Sequence, residues 1–153
     1  MKSLQEFQAE RRAREDRRRA SHKGEAFEEL IADELRKLGW IVDVTKLNRQ
    51  FIRSRGVGRW ITKKADYFES IDMIAIKPGN FPVLFIQATA NRGGVSERRR
   101  KIDERLGEPG AGRDYFVITK APGGSGFEIH RRTMVGWAPP FCEVGLDNIW
   151  GIS

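Results

Sequence analysis

Three oxygen-bearing side chains interrupt otherwise apolar stretches of the chain. Glu28 stands in FEELIADELRKLGW beside a helical stripe, Asp72 opens IDMIAI, and Gln87 lies near the end of PVLFIQA. Between the last two segments, Lys77-Pro78-Gly79-Asn80 is turn chemistry, so residues 71–76 and 82–88 read as an antiparallel hairpin. If it turns about Gly79 and Asn80, Asp72 faces Gln87 across the strands, and Thr89 projects from the same face one step further on. A slip of one residue would move Gln87 to the opposite face. Two such side chains, approached by a helix glutamate, offer the hard oxygens that Mg²⁺ takes in octahedral geometry. In phosphodiester cleavage a cation there activates water and neutralises charge on the phosphate. The plainer reading makes Asp72 a strand-entry residue and Gln87 an exposed polar position. Asp66 and Glu69, just ahead of Asp72, either join the site or simply end a basic segment.

The elements that must position these residues follow from periodicity. Phe27, Leu30, Ile31, Leu35 and Leu38 recur at helical spacing, which predicts a helix over 24–38 with one buried stripe, stopped by Gly39. Residues 40–44 read as a short strand. Residues 45–64 carry Lys46, Arg49, Arg53, Arg55, Arg59, Lys63 and Lys64 with no acidic residue, and Phe51 and Trp60 are interleaved with the charges. That segment reads as a long basic loop bent at Gly56 and Gly58. Residues 96–106 form a second predicted helix with Ser96 as N-cap and Ile102 and Leu106 as its apolar edge. Residues 107–112 are a loop, 115–119 a buried strand, and 127–130 another short strand. The order is a helix, a strand, a basic insertion, two strands, a helix and a strand, which predicts an α/β mixed sheet covered by helices. Residues 1–22 form a basic arm: a frayed tail, a docking helix or a phosphate-binding segment. The tail from residue 137 packs on the domain or on a partner.

With these elements in place, KGEAFEELIADELRKLGW, SIDMIAI and VLFIQAT resemble the core of the PD-(D/E)XK nuclease superfamily. The resemblance covers roughly residues 22 to 120 and is nearest to archaeal-type Holliday-junction resolvases and their phage and bacterial relatives. The Lys-Gly and helix glutamate of that family fall on Lys23, Gly24 and Glu28, its strand aspartate on Asp72, and its Glu-x-Lys on Gln87, Ala88 and Thr89. The resemblance implies a restriction-endonuclease-like fold with an α-β-β-β-α-β core. It also implies cleavage of branched or duplex DNA with Mg²⁺, for which Mn²⁺ substitutes, and a homodimer. The implied metal site is Glu28, Asp72, Gln87 and Ala88. The departure is Gln-x-Thr for Glu-x-Lys: a glutamine carbonyl ligates without charge, and Thr89 cannot replace the lysine. Chains reading Gln-x-Thr before a basic helix resemble a subgroup common in phage genomes. There a basic residue of the next helix takes over, with Lys101 the first candidate and Arg98 the second. The alternative is a fold that has lost catalysis and kept DNA binding.

Composition bounds these readings. The chain has 153 residues, 39% of them hydrophobic, enough for one domain with a core, and Cys142 is the only cysteine, which excludes an intrachain disulfide and a cysteine zinc cluster. No apolar run is long enough to span a bilayer and no secretory leader is visible, so a cytoplasmic protein is expected, with phage origin compatible. A net charge of +7 favours a polyanionic partner. DNA contacts are expected at Lys23, Arg49, Arg53, Arg55, Arg59, Lys63, Lys64, Arg98 and Arg99. An RNA-binding module with no nuclease ancestry accounts for the charge equally well. His22 and His130 have no ligand spacing, and Gly123 to Gly126 is a turn rather than a phosphate loop.

Overall fold

The computed structural model describes residues 3–64 and 66–150, without the side chains of 21, 47–50 and 62–64. The chain begins with one uninterrupted helix, α1 (Leu4–Lys37). Ser3 and Glu6 close a capping box at its start, so the expected basic arm is helical and continuous with the core helix. Only the C-terminal half is anchored. Phe27, Ile31, Ala32 and Leu35 are buried, whereas Leu30, expected in the stripe, is 48% exposed and Leu38 is half-buried. Leu30 lies about 100° round the helix from Ile31, which carries it off the sheet-facing side.

Seven strands form the main sheet. In order across it run β1 (Ile41–Val44), β4 (Met73–Ile76), β5 (Val83–Thr89), β6 (Arg113–Lys120), β7 (Phe127–Thr133) and β8 (Gly136–Trp137), and β9 (Phe141–Glu143) also pairs with β7. β5 and β6 are parallel and the other pairs antiparallel, so this is a mixed α/β sheet. A parallel pair needs a crossover, which α2 (Val95–Arg105) supplies after a 3-10 turn at Arg92–Gly94. α2 starts at Val95 behind Gly94 with no side-chain cap, so Ser96 lies inside its first turn and is not the N-cap.

Alternation along the strands divides the core. Met73, Ala75, Leu84, Ile86, Ala88, Phe116 and Ile118 pack with α1, while Ile74, Phe85, Tyr115 and Val117 pack with Val95 and Ile102 of α2. The tail belongs to the first group: Leu146 and Ile149 are fully buried in it, and Trp150 stands 5.9 Å from Trp40. It packs on its own domain.

The basic segment departs from expectation. It is an antiparallel hairpin of β2 (Leu47–Ser54) and β3 (Val57–Lys64), forming a separate two-stranded sheet. Arg55 (φ 50°) and Gly56 (φ 80°) supply the paired positive φ values of a tight hairpin turn, so the bend is there, while Gly58 lies within a strand. Phe51 pairs with Trp60 at 5.3 Å between rings, and both are more than half exposed. A Cβ at Gly58 would stand 2.2 Å from the Phe51 ring, so the glycine lets that ring lie flat on the hairpin.

Candidate active site

The register of β4 with β5 sets Met73 against Ile86, Ile74 against Phe85 and Ala75 against Leu84. Continuing it one step brings Asp72 to Gln87, but there the strands part. Asp72 sends its N–H to the Ile86 carbonyl (3.0 Å) and its carbonyl accepts from the Thr45 N–H (2.8 Å) at the end of β1. The Ala88 N–H, left without a ladder partner on this side, donates to Asp72 Oδ2 at 2.8 Å, and Gln87 Nε2 donates to the same oxygen at 2.5 Å. The carboxylate therefore fills a gap that opens where two strands diverge. It is 1% exposed, and a charge so deep is tolerable only because strong donors meet it.

Above this gap lies α2. Arg98 Nε donates to the Ala88 carbonyl at 3.4 Å. Its path crosses Gly94, where an added Cβ would meet Arg98 Nη1 and Thr89 Oγ1, each at 3.3 Å. Thr89 spends its hydroxyl on the turn, donating to the Asn91 carbonyl (3.0 Å) and accepting from its N–H (3.3 Å). Of the two basic residues considered as substitutes for the missing lysine, the structure brings Arg98 to the gap; Lys101 is exposed one turn further along. The neighbours of Arg98 are committed elsewhere. Arg99 lies 4.9 Å from the centre of the Trp137 ring, and Arg100 pairs with Glu97 and Glu104.

Glu28 approaches from α1. It is 9% exposed and lines a cavity of about 450 Å³ together with Glu25, Glu29, Asp43 and Thr45. Thr45 links the two halves of the site, since its N–H holds the Asp72 carbonyl while its hydroxyl is buried with no hydrogen-bond partner among the described residues. The sequence reading missed Asp43 and Tyr67. The Tyr67 hydroxyl donates to Asp43 Oδ2, and that hydrogen bond, reinforced by burial and the carboxylate charge, pushes the phenol up to about 12. The signal was an acidic residue inside the β-rich IVDV. Glu69 turns away and pairs with Arg105 at 2.8 Å. His130, which has no ligand spacing in the sequence, is buried and bonded to Glu128 (2.8 Å), which also holds Arg92 (2.7 Å).

The expected DNA contacts divide by element. Lys23 is exposed on α1 and Arg53, Arg55 and Arg59 are exposed on the hairpin. Arg49, Lys63 and Lys64 lie on the hairpin strands, with side chains outside the described residues. Lys46, at the root of the hairpin, lines the Glu28 cavity.

Of the expected donors, Asp72, Gln87 and Ala88 meet at the gap and Glu28 stands on the wall of the cavity lined by Thr45; all offer oxygen, which fits a hard divalent cation by type. Among the described residues no group of three or more His, Cys, Asp and Glu could hold a metal, so a cation at this gap would have to draw on the Gln87 amide and the Ala88 carbonyl as well. No helix among the described residues is long and apolar enough to cross a membrane. Comparison with known proteins adds no constraint: no family model, curated protein or solved structure matches the chain.

Proposed function

We propose that the chain is a metal-dependent endodeoxyribonuclease of the PD-(D/E)XK type with a restriction-endonuclease-like fold, acting on branched DNA as a homodimer. The observation that carries this reading is the buried Asp72 carboxylate held in the gap between β4 and β5 by Gln87 and the Ala88 N–H, with Arg98 beside it. Burying a carboxylate is costly, and its place here suits a site that must present a fixed negative oxygen. Glu28, Asp72, the Gln87 amide oxygen and the Ala88 carbonyl would hold Mg²⁺. The cation, when bound, supplies charge neutralisation at the scissile phosphate and a more acidic water.

The remaining roles belong to the chain. Asp72 is oriented in advance by two donors, so the carboxylate itself is already fixed, while Arg98 would have to leave the Ala88 carbonyl for a cation to use it. Arg98 cannot accept a proton, because a guanidinium stays protonated. Its role is electrostatic, a fixed positive group for the charge that grows on phosphate oxygens. The Tyr67 hydroxyl remains a donor at neutral pH and holds Asp43 on the wall of the cavity. The β2–β3 hairpin contacts DNA through Arg53, Arg55 and Arg59, with Phe51 and Trp60 as a stacking surface for bases exposed at a branch.

A second reading rests on Arg98 itself. Its guanidinium lies on the carbonyl that a cation would use, and an uncharged Gln87 lowers the demand for one, as in a degenerate nuclease that binds DNA without cutting it. Incubation of four-way junction, duplex and single-stranded DNA with the protein in Mg²⁺ and in EDTA separates the two. Cleavage of the junction in Mg²⁺ alone supports the nuclease. Binding without cleavage in Mg²⁺ or Mn²⁺ supports the second reading.

A further inference from the structure

The N-terminal half of α1 is solvent-exposed along its length. From Ser3 to Lys23 every described side chain is exposed. A helix that is polar all round and unsupported keeps its shape only through caps, local ion pairs and its rigid continuation. Here these are the Ser3 box, the Arg11–Glu15 pair at 3.3 Å and the anchored half beyond Gly24. Between residues 11 and 19 stand six arginines, Arg11, Arg12, Arg14, Arg17, Arg18 and Arg19, against Glu15 and Asp16. Surface solubility does not require that density on one short segment.

Their angular placement gives the arrangement meaning. Arg11, Arg18 and Glu25 recur every seven residues, and such a repeat drifts only about 20° round the helix per step. Arg14 falls within the same sector. Glu25, Glu28, Glu29 and Arg36 line the candidate site's cavity, so this helix face runs from the site straight out along the arm. Lys46, the root of the basic hairpin, lines that cavity too, so both basic projections are rooted at its wall.

We infer that the N-terminal half of α1 is a duplex-DNA rest, whose Arg11–Arg14–Arg18 face grips the phosphate backbone of the helix flanking the position held by Glu28. This rests on the nuclease reading only for the identity of the site at Glu28; the binding itself stands without cleavage. Charge complementarity selects a polyanion. The rigid spacing selects a rigid one, because a single strand follows any charge pattern; no aromatic stands between Arg11 and Arg18, and the face's one exposed ring, Phe7, lies a turn beyond Arg11. At 1.5 Å per residue, Arg18 and Arg11 lie about 15 Å and about 26 Å along the axis from Glu28. At 3.4 Å per base pair, the rest reaches roughly 4 to 8 base pairs from the site. The exposed Arg11–Glu15 pair costs little to break.

Fluorescence anisotropy in EDTA with the full chain tests this. Labelled duplexes of graded length and single strands of matched length are titrated over a salt series. The variants are Arg11→Ala/Arg18→Ala and Arg12→Ala/Arg19→Ala, which remove equal charge at equal spacing from faces about 100° apart. The first should lower the salt slope by about 2, weaken duplex binding roughly tenfold, and shorten the duplex length needed for full affinity by several base pairs. The second should leave all three near wild type. Circular dichroism at 222 nm establishes that both keep their helix; if the first loses it, Arg11→Lys/Arg18→Lys, which keeps the charge, should restore both helix and binding. Equal effects of the two double variants would overturn the proposal, as would unchanged duplex binding in the first or an equal loss on single strands. Tighter binding to duplex RNA than to duplex DNA also counts against it. Cleavage plays no part in these readouts, so an inactive enzyme that binds as described refutes the nuclease reading and leaves the arm standing.

Discussion

At the scale of single residues the account turns on a buried carboxylate and its donors. Asp72→Ala should remove cleavage while the fold persists, because Asp72 lies at the end of the β4–β5 ladder and the strand pairing beyond it does not run through its side chain. It strands the Ala88 N–H and the Gln87 amide, and one or two unmet buried groups cost about 1–3 kcal/mol each. A drop in Tm of roughly 5–15 °C with unchanged circular dichroism is the expected result. Gln87→Glu has a sign that depends on metal. It replaces the donor that meets Asp72 Oδ2 at 2.5 Å with a second carboxylate, so without cation the like charges repel. A bound divalent ion reverses this. Tm should fall in EDTA and rise in Mn²⁺, with tighter Mn²⁺ binding by calorimetry; no gain in affinity would show that Gln87 is not a ligand. Tyr67 gives a third outcome. Its phenol is raised to about 12 chiefly by the hydrogen bond to Asp43. The stability from that bond is therefore fully present below the unfolded value near 10 and is lost as pH climbs from there through about 12. Tyr67→Phe should flatten stability over that window, read by denaturant unfolding at a series of pH values; a wild-type profile in the variant would refute the pairing. The facing of Asp72 and Gln87 was legible because turn chemistry and strand alternation fix it together. Arg98 was not singled out over Lys101, since that depends on where a helix starts after a 3-10 turn, and neither residue carries that in its type.

Elements were legible where their apolar period was clean. IDMIAI, PVLFIQA and YFVIT gave strands, and α2 was displaced at its start by one residue. The basic segment was read as a loop because charges hide its alternation: Arg53 shares a face with Phe51 and Trp60, so no apolar stripe marks the strands. It stands apart from the main sheet as a two-stranded ribbon, so no core-facing period is imposed on it from outside. This separation makes a clean prediction. Arg53→Ala/Arg55→Ala/Arg59→Ala should lower DNA affinity and reduce the salt slope by about 3 while Tm stays within a degree or two. Unchanged affinity and slope in that variant would remove the hairpin from the interface. Likewise, the arm and the core helix were read as two pieces, whereas α1 is one; Gly24 suggested a boundary, but it sits in the helix with open space around its Cα and costs only about 1 kcal/mol there.

On the scale of the molecule, a mixed sheet with helices on both faces opens a gap at one end, and the basic projections leave from that end. The tail from Trp137 was illegible because its order comes from docking Leu146, Ile149 and Trp150 into a core assembled by residues far earlier in the chain. Sequence pattern reports local period and turn chemistry, and a segment ordered wholly by long-range packing leaves little of either. The central claim is that Asp72 and its neighbours hold a cation that cuts DNA. It is tested most directly by the rate of cleavage of an end-labelled four-way junction in Mg²⁺, measured for the natural chain and for Asp72→Ala at matched DNA occupancy. The natural chain should cleave in a reaction that EDTA abolishes, and the variant, which still binds the junction, should lose at least about a hundredfold. Equal rates for the two proteins, or cleavage that survives EDTA, would contradict it.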